Sequence, residues 1–201
     1  ATAKKSLQSA VVAARDGETI LVKAGCYAPI STGRKSLVIR SVDGANATII
    51  DGGGALRCAT LGDDSTLLEG FTLQNGFAEN GGGVSGGRLN RCIISGNTAE
   101  NKGGGAYKCR LANCVLSRNY ARFYNGGGAH DCQLGNCTLV GNAAGGEGGG
   151  ISRCVATNCI VWDNLAASMA NYNDSQLRYS CMTPLPYGDE GGDNISGNPQ
   201  F

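Results

Sequence analysis

Two segments, GGGAYKCRLANCVLSRN at residues 103–119 and GGGAHDCQLGNCTLVGN at residues 126–142, are copies of one unit. Each begins with three glycines and a small apolar residue, places a cysteine three and eight residues after that apolar residue, and ends on asparagine. Self-similarity at a fixed short period is typical of repeat proteins in which each unit stacks on its neighbour. The sequence therefore predicts a solenoid.

The same columns of residues continue on both sides of these segments. Glycine triplets begin at Gly52, Gly81, Gly103, Gly126 and Gly148. The second cysteine column, with the asparagines five residues after it, comprises Cys92, Cys114, Cys137, Cys159, Cys181, Asn97, Asn119, Asn142 and Asn164. The first cysteine column comprises Cys109, Cys132 and Cys154, together with Cys58 after the Gly52 triplet and Gly87 in the coil of Val84. Their shared period of about 22 residues sets the length of one coil.

Each coil is predicted to consist of short β-strands separated by turns. Runs such as CVL at 114–116 and CTL at 137–139 are rich in β-branched residues and are bounded by Gly, Asn or Asp. Strand alternation directs one set of side chains into a shared core, and we expect the asparagine amides to hydrogen-bond along the axis at one corner. The predicted inward residues are Cys92, Ile94, Cys114, Leu116, Cys137, Leu139, Cys159, Val161, Leu89, Leu111, Leu134 and Ala156.

The two ends of the chain depart from the repeat. Apolar residues between Leu7 and Ala14 recur with helical spacing, so we expect a helix at residues 4–15 that plugs the N-terminal end of the core. The tail is expected to cover the other end, with Ile195 and Phe201 as its apolar anchors. We predict a single all-β domain that divides into a helical cap at 1–17, coils at 18–181 and a C-terminal cap at 182–201.

Three stretches resemble families of secreted β-helix proteins. The opening DGETILV at 16–22 resembles the start of pectin-lyase-like right-handed parallel β-helix proteins. The GGA at 104–106 and 127–129 is similar to repeats of chlamydial polymorphic outer membrane proteins, and NCIVWDN at 158–164 with NPQF at 198–201 resembles the bacterial choice-of-anchor Q type. The resemblance implies a right-handed parallel β-helix at the cell surface or outside the cell. It leaves the activity open, because this fold carries lyases, hydrolases, adhesins and passive stalks alike.

Charge and hydropathy exclude two classes of partner. With 17 basic and 16 acidic residues the formal net charge is +1, which gives no electrostatic reason to expect nucleic acid. No run of 18 apolar residues is present, so we expect no membrane-spanning segment.

The ten cysteines repeat at the coil period as Cys-x4-Cys, and the chain has one histidine. This spacing does not fit a metal site, so we expect no metal at the cysteines. Disulfide bonds within a coil and between neighbouring coils both stay as alternatives, and we favour free, buried thiols that act as small hydrophobic residues.

The carboxylates provide weak catalytic candidates, namely Asp63, Asp64 and Glu69. Paired carboxylates serve glycoside cleavage, and Glu79 and Glu100 with their neighbouring asparagines would suit calcium. We favour the simpler interpretation that these are solvated turn residues, because Asp, Glu and Asn are ordinary in turns. Pectate lyases of the resembled superfamily use a carboxylate cluster for calcium, and no such cluster can be placed on one face here.

Aromatic residues and the histidine are the candidates for binding. Tyr107 is expected to stack on His130 at the surface, whereas alternation makes a His130–Asp131 dyad geometrically poor. Carbohydrate stacking or loop packing would each explain the aromatic residues of the return loops, which are Phe77, Tyr120, Phe123 and Tyr124. A strip of β-branched residues is predicted to point outward and to end near Trp162. Two explanations stay open for it, an interface or simple β-propensity. Its members are Thr72, Ile93, Val115, Thr138 and Ile160.

These observations favour a non-catalytic extracellular or cell-surface module, which would act as a stalk, an adhesin or a scaffold for a glycan or protein partner. Its support is the regularity of the coils, since catalytic β-helices interrupt theirs with long loops. The alternative is a polysaccharide lyase or glycoside hydrolase-like enzyme.

Overall fold

The computed structural model describes residues 6–62, 64–185 and 193–199. These residues form a right-handed parallel β-helix, in which every strand pairs in parallel with its counterpart in the next coil. The fold class predicted from the repeat is therefore confirmed.

Irregular coils open the solenoid. Their elements are α1 (Leu7–Ala13), β1 (Thr19–Val22), β2 (Gly25–Tyr27), β3 (Ile30–Ser31), β4 (Val38–Ser41), β5 (Thr48–Asp51) and β6 (Ala59–Thr60). Regular coils of four strands follow. Their strands are β7 (Leu67–Glu69), β8 (Thr72–Gln74), β9 (Phe77–Asn80), β10 (Val84–Ser85), β11 (Arg88–Asn90), β12 (Ile93–Ser95), β13 (Thr98–Lys102), β14 (Ala106–Tyr107), β15 (Arg110–Ala112), β16 (Val115–Ser117), β17 (Tyr120–Ala121), β18 (Ala129–His130), β19 (Gln133–Gly135), β20 (Thr138–Val140), β21 (Ala143–Glu147), β22 (Ile151–Ser152), β23 (Val155–Thr157), β24 (Ile160–Trp162) and β25 (Leu165–Ser168). A final short coil contains β26 (Tyr172–Asn173), β27 (Gln176–Arg178) and β28 (Cys181–Met182).

The strands stack into four sheets that follow one another around each coil. Sheet 1 has the order β1-β4-β7-β11-β15-β19-β23-β27, and sheet 2 has the order β2-β5-β8-β12-β16-β20-β24-β28. Sheet 3 has the order β9-β13-β17-β21-β25, and sheet 4 has the order β3-β6-β10-β14-β18-β22-β26. Sheet 3 corrects the sequence analysis, which predicted only loops there. Its strands are short, and their inward column consists only of alanines, which give a weak signal in the sequence.

Register in the middle of the solenoid matches the predicted columns. Leu89 pairs with Leu111 and Leu111 with Leu134, while Ile94 pairs with Leu116 and Leu116 with Leu139. All of the residues predicted to point inward are buried. Equivalent apolar side chains therefore stack directly above one another and share one core.

Register at both ends of the cysteine columns differs from the prediction. Val84 pairs with Ala59, which places Cys58 beside Gly83 and not in the column of Cys109. The Gly52 triplet accordingly lies outside the glycine column. At the other end Ile160 pairs with Cys181, so Ser180 and not Cys181 follows Cys159. One coil at each end has a different length, and each change in length shifts every later column.

The predicted asparagine ladder is present and buried. Nδ2 of Asn97 donates to Oδ1 of Asn119 at 2.9 Å, and the same contact recurs from Asn119 to Asn142 and from Asn142 to Asn164. Asn171, which the sequence analysis did not single out, ends the ladder by accepting from Asn164 Nδ2 at 2.9 Å. Each amide thereby satisfies polar groups at a corner that water does not reach.

The glycine triplets allow close approach between coils. A Cβ added at Gly105 would lie 2.6 Å from the carbonyl oxygen of Gly128, and one added at Gly128 would lie 2.6 Å from that of Gly150. In the four triplets that form the glycine column the first glycine, which is Gly81, Gly103, Gly126 or Gly148, also has a left-handed backbone, as at Gly103 with φ +62°.

Helix α1 covers the N-terminal end as predicted. Leu7 and Val11 are buried in the core, and Nζ of Lys35 donates to three carbonyl oxygens at the end of the helix. At the opposite end Ile195 forms a parallel bridge with Cys181, but its side chain is 63% exposed, so the prediction that it anchors the tail is wrong. The bridge uses only its backbone, which leaves its side chain outside. Phe201 lies outside the described residues.

Candidate functional site

A groove on the outer face of sheet 1 has a volume of about 770 Å³. Its floor and sides come from the outward positions of five successive strands, β7, β11, β15, β19 and β23. One outward column contributes Leu67, Arg88, Arg110, Gln133 and Val155, and the other contributes Asn90, Ala112, Gly135 and Thr157.

Small residues in the second column make the face concave. Ala112 pairs with Gly135, so two neighbouring coils present almost no side chain there. A Cβ placed on Gly135 would meet nothing within 4 Å. The groove is therefore open along the axis of the solenoid.

Two arginines dominate the other column of the groove. Arg88 and Arg110 pair in register on β11 and β15, and both are exposed. Among the described residues neither side chain has an ion pair or a hydrogen bond. Adjacent strands lie about 4.8 Å apart, so the two guanidinium groups project side by side with their donors unused.

An asparagine ladder forms one edge beside the groove, where Asn90 lines the groove and the later members each directly follow one of its lining residues in sequence. Asn113 donates from Nδ2 to Oδ1 of Asn90 at 2.8 Å, Asn136 donates to Asn113 at 3.4 Å, and Asn158 donates to Asn136 at 2.6 Å. Asn113, Asn136 and Asn158 all have left-handed backbones, which asparagine tolerates better than most residues. This second ladder is exposed, so it offers amides to a ligand.

Lys108, Asp131 and Arg153 occupy equivalent left-handed corner positions, each two residues before β15, β19 or β23, and Lys108 and Asp131 line the neighbouring cavity of about 270 Å³. Nε of Arg153 lies 3.1 Å from Oδ1 of Asp131, which neutralises that pair. Lys108 has its Nζ 5.2 Å from the centre of the Tyr107 ring. With Arg88 and Arg110 on the floor, the net charge of the groove and its edges is positive.

Of the predicted catalytic carboxylates, two lie in separate places and one cannot be described. Asp63 is outside the described residues. Asp64 is exposed and lines a neighbouring cavity of about 270 Å³. Glu69 lies in another cavity, where it pairs with Arg40 at 2.6 Å and accepts from Asn90 at 3.0 Å. Glu69 therefore holds neighbouring coils together, and it does not meet Asp64.

The cavity lined by Asp64 adjoins the arginine groove. Arg110 and Gln133 line both spaces, and Asp131 lines the smaller one with Asp64. At the predicted calcium position, Glu79 accepts a hydrogen bond from Nδ2 of Asn101 at 3.2 Å. Within the described ranges no three His, Cys, Asp or Glu side chains converge in a way that would hold a metal ion.

The predicted stack of Tyr107 on His130 is present, with ring centres 6.0 Å apart and planes at 18°. The expected surface position is wrong, because His130 is only 1% exposed and both its ring nitrogens lack a hydrogen-bond partner. Its ring is enclosed by Tyr107 on one coil, Ser152 on the next and the close glycine corner at Gly126. Burial lowers the pKa of His130.

His130 and Asp131 form no hydrogen-bonded dyad, as predicted, although their side chains do not point apart. Nε2 of His130 lies 3.7 Å from Oδ2 of Asp131, which is close but is not a hydrogen bond. Asp131 has a left-handed backbone with φ 53°, so the chain turns there and strand alternation no longer applies.

The predicted aromatic residues lie away from the groove. Tyr120, Phe123 and Tyr124 are exposed on or next to sheet 3, which is never consecutive with sheet 1 along a coil. The guanidinium of Arg122 lies 5.3 Å from the centre of the half-buried Phe77 ring. Trp162 is half-buried at the end of β24, on sheet 2. These residues do not form one site with Tyr107 and His130.

The outward strip on sheet 2 has the predicted register, with Thr72 beside Ile93 and Ile93 beside Val115. Val115 is 40% exposed, while the other members are half-buried. All ten cysteines are free thiols, of which only Cys26 is exposed.

The arginine groove was not predicted from the sequence. The sequence does contain a signal for the arginine pair, because Arg88 and Arg110 both directly precede an inward leucine, one coil apart. The small residues Ala112 and Gly135, which open the groove, lie two positions further along in neighbouring coils.

Comparison with known proteins gives structural likeness only. No family model and no curated protein matches the chain. Among solved structures it is similar to a pectate lyase, Pel9A, with 13% identity, a TM-score of 0.59 and coverage of 88% of this chain. The chain spans 57% of the length of that lyase.

Two pectin methylesterases are also similar. One, solved in complex with a hexasaccharide, has 14% identity, a TM-score of 0.56 and coverage of 94% of this chain and 70% of its own. The other, from Aspergillus niger, has 16% identity, a TM-score of 0.55 and coverage of 89% and 73%. At these identities the likeness shows a shared right-handed β-helix fold. In the described part of the chain no helix is long and apolar enough to cross a membrane.

Proposed function

We propose that this chain is a non-catalytic, secreted or cell-surface β-helix module that binds an acidic polysaccharide in the groove of sheet 1. The observation that carries the proposal is the pair of exposed arginines, Arg88 and Arg110, which have no partner among the described residues. A guanidinium presents its N–H donors in a planar fork that matches a carboxylate. A polyuronate supplies carboxylates repeatedly along one direction, and a solenoid supplies side chains in the same way.

The edges and floor of the groove support a sugar polymer over a small anion. The exposed ladder of Asn113, Asn136 and Asn158 offers amide donors and acceptors along the groove, which suit sugar hydroxyls. The open floor at Ala112 and Gly135 gives room for a chain to run across several coils. Similarity of fold to a pectin methylesterase solved with a hexasaccharide supports a carbohydrate ligand, as does the similarity to a pectate lyase.

An enzymatic function is the alternative, and one observation favours it. Asp64 and Asp131 line the same cavity, which shares Arg110 and Gln133 with the groove. Two carboxylates beside a bound sugar are the usual equipment for glycoside cleavage. Against it, Oδ1 of Asp131 lies 3.1 Å from Nε of Arg153, so this carboxylate is already engaged in an ion pair with the neighbouring coil.

One experiment separates the two functions. The protein is incubated with pectate, alginate, hyaluronate and the neutral polymers cellulose and xylan, each with and without calcium. Retardation in affinity electrophoresis measures binding, and unsaturated or reducing ends measure cleavage. We expect retardation by the acidic polymers alone and no new chain ends.

The controls assign the result to residues. Arg88→Gln with Arg110→Gln should abolish retardation, while Arg118→Gln, an arginine outside the groove, should not. New chain ends that disappear in Asp64→Asn or Asp131→Asn while retardation persists would establish the enzyme instead. A protein that none of the polymers retards would leave the stalk or protein-binding adhesin as its function.

A further inference from the structure

The core contains two uninterrupted columns of thiols. The three-cysteine column consists of Cys109, Cys132 and Cys154, and the four-cysteine column consists of Cys92, Cys114, Cys137 and Cys159. Every member is at most 2% exposed, and register pairs each one with its neighbour in the next coil. Serines end both columns, because the N–H of Cys154 donates to Ser175 Oγ and that of Cys159 donates to Ser180 Oγ.

The sulfur atoms lie between the coils, close to their neighbours. The backbone N–H of Cys109 donates to Sγ of Cys132 at 3.3 Å, and that of Cys132 donates to Sγ of Cys154 at 3.4 Å. In the four-cysteine column the backbone N–H of Cys137 donates to Sγ of Cys159 at 3.4 Å in the same way.

Backbone spacing in these columns suits a covalent bond. Parallel strands in register place equivalent Cα atoms about 4.8 Å apart, within the range of roughly 4.4–6.8 Å that disulfides occupy, and closing a bridge draws the two Cβ atoms together from about the same spacing to roughly 3.5–4.5 Å. Cysteines two coils apart lie at about twice that strand spacing and cannot be bridged. Pairing is therefore restricted to immediate neighbours.

We propose that the two columns are cross-linking sites, in which a low-molecular-weight disulfide oxidises neighbouring thiols to disulfides between successive coils. A protein thiolate attacks the small disulfide, releases one small thiol and leaves a mixed disulfide. The neighbouring thiolate then attacks the protein sulfur and releases the second small thiol. Two protein thiols lose two protons and two electrons, and the oxidant becomes two thiols.

Column length decides how many bonds form. The four-cysteine column pairs completely, as Cys92–Cys114 and Cys137–Cys159. The three-cysteine column forms one bond, in which Cys132 takes either neighbour and leaves the other free. Because the folded core excludes the oxidant, the reaction belongs to folding.

The test counts thiols after oxidative refolding. The full chain carries Cys26→Ser and Cys181→Ser, which removes the exposed thiol and the one under the tail and leaves eight cysteines. It is refolded from denaturant with oxidised and reduced glutathione, checked for β-structure and monomeric size, and then denatured for thiol titration. We expect two free thiols, those of Cys58 and one end of the three-cysteine column.

Two matched variants distinguish bridges between coils from bridges within a coil. Adding Cys154→Ser leaves Cys109 and Cys132 able to pair, so one free thiol is expected. Adding Cys132→Ser separates Cys109 from Cys154, so three are expected. Bridges within each Cys-x4-Cys unit would give three free thiols in both variants and would overturn the proposal, as would retention of all eight thiols in the parent.

A peptide map keeps the test independent of the variants. Trypsin isolates Cys109 on a dipeptide and Cys114 on residues 111–118, whereas residues 123–153 carry both Cys132 and Cys137. In the oxidised parent protein we expect residues 92–102 joined to residues 111–118. A dipeptide of Cys109 joined to residues 111–118 would contradict the proposal even if both variants failed to fold.

Discussion

Nδ2 of Asn119 donates to Oδ1 of Asn142 at 2.9 Å, and the same oxygen accepts the backbone N–H of Asn119 at 3.1 Å. Asn119 Nδ2 also donates to the carbonyl oxygen of Ile94 at 2.8 Å. One buried amide thus satisfies groups on three coils. A coil of different length would leave these groups without partners, so the ladder ties the stability of the fold to the repeat period.

Removing one rung of this ladder should destabilise the protein strongly. Asn119→Ala removes the side-chain donor to the buried Ile94 carbonyl and leaves the backbone N–H of Asn97 without its acceptor, and each unsatisfied group costs about 1–3 kcal/mol. We expect the free energy of unfolding, measured in urea, to fall by about 3 kcal/mol or more. Asn136→Gly in the exposed ladder is the control and should cost less than about 1 kcal/mol. Equal losses in both variants would contradict the role given to burial.

Close approach at the glycine corner predicts a second difference in stability. In Gly105→Ala the new Cβ would lie 2.6 Å from the carbonyl oxygen of Gly128 and 2.9 Å from the side-chain amide of Asn119. Overpacking of this kind costs about 1–3 kcal/mol, and here the added methyl group would also displace the side chain of Asn119 in the buried asparagine ladder. Gly135→Ala, where the Cβ has open space, should stay within about 0.5 kcal/mol of the parent. A tolerated Gly105→Ala would show that the coils do not approach as described.

His130 should make stability depend on pH in a measurable way. Burial lowers its pKa in the folded protein, whereas the unfolded chain has the ordinary value of about 6.5. As pH falls below that value the unfolded state binds the proton more readily, so the free energy of unfolding decreases until the lowered pKa is passed. Asp131 opposes this shift, and Lys102 and Arg153 add to it.

His130→Phe removes the only imidazole of the chain and should remove this component. We expect the variant to be at least as stable as the parent at pH 7, because both buried ring nitrogens lack partners. Its advantage should grow as the pH is lowered from 7 to 5 in urea unfolding experiments. Parallel profiles for the two proteins would mean that His130 binds a proton equally well in the folded and unfolded states.

The open floor of the groove allows a test by steric blocking. Gly135→Tyr places a ring where a Cβ meets nothing within 4 Å, so stability should change by less than about 0.5 kcal/mol. The ring would occupy the path of a polymer without altering charge, and we expect retardation by pectate to weaken at least tenfold. Gly135→Ala should bind like the parent. Unchanged binding by the tyrosine variant would place the ligand elsewhere.

The regular coils could be predicted from sequence because four independent columns share their period. The assignment of side chains to the core or to the surface followed directly from these columns, as for Leu111 and Leu116, which are both buried. The register at the two ends could not be predicted in this way, because one change in coil length shifts every column beyond it. The last coil is one residue shorter than the coils before it, so Ser180 follows Cys159 in the column of the structure. Cys181 lies at the spacing that the repeat predicts, which is one residue away from that column.

The site was harder to predict than the fold for a physical reason. A solenoid groove arises from the sizes of neighbouring side chains on several coils, and Ala112 and Gly135 carry no chemical signal of their own. The left-handed corner at Asp131 likewise brings that residue towards His130, and periodicity alone does not report such a backbone. Aromatic residues are recognisable in a sequence as candidates for binding, whereas a sequence does not show that two arginines lack partners.

The central claim is that Arg88 and Arg110 hold a polyuronate in the groove, and calorimetric titration with a hexamer of galacturonate tests it most directly. Each charge-assisted contact contributes about 1.5–3 kcal/mol, so we expect roughly tenfold weaker binding for each Arg→Gln change, about a hundredfold for both, and no binding of a neutral hexamer. Equal affinity of the double variant and the parent, or equal affinity for charged and neutral hexamers, would contradict the account.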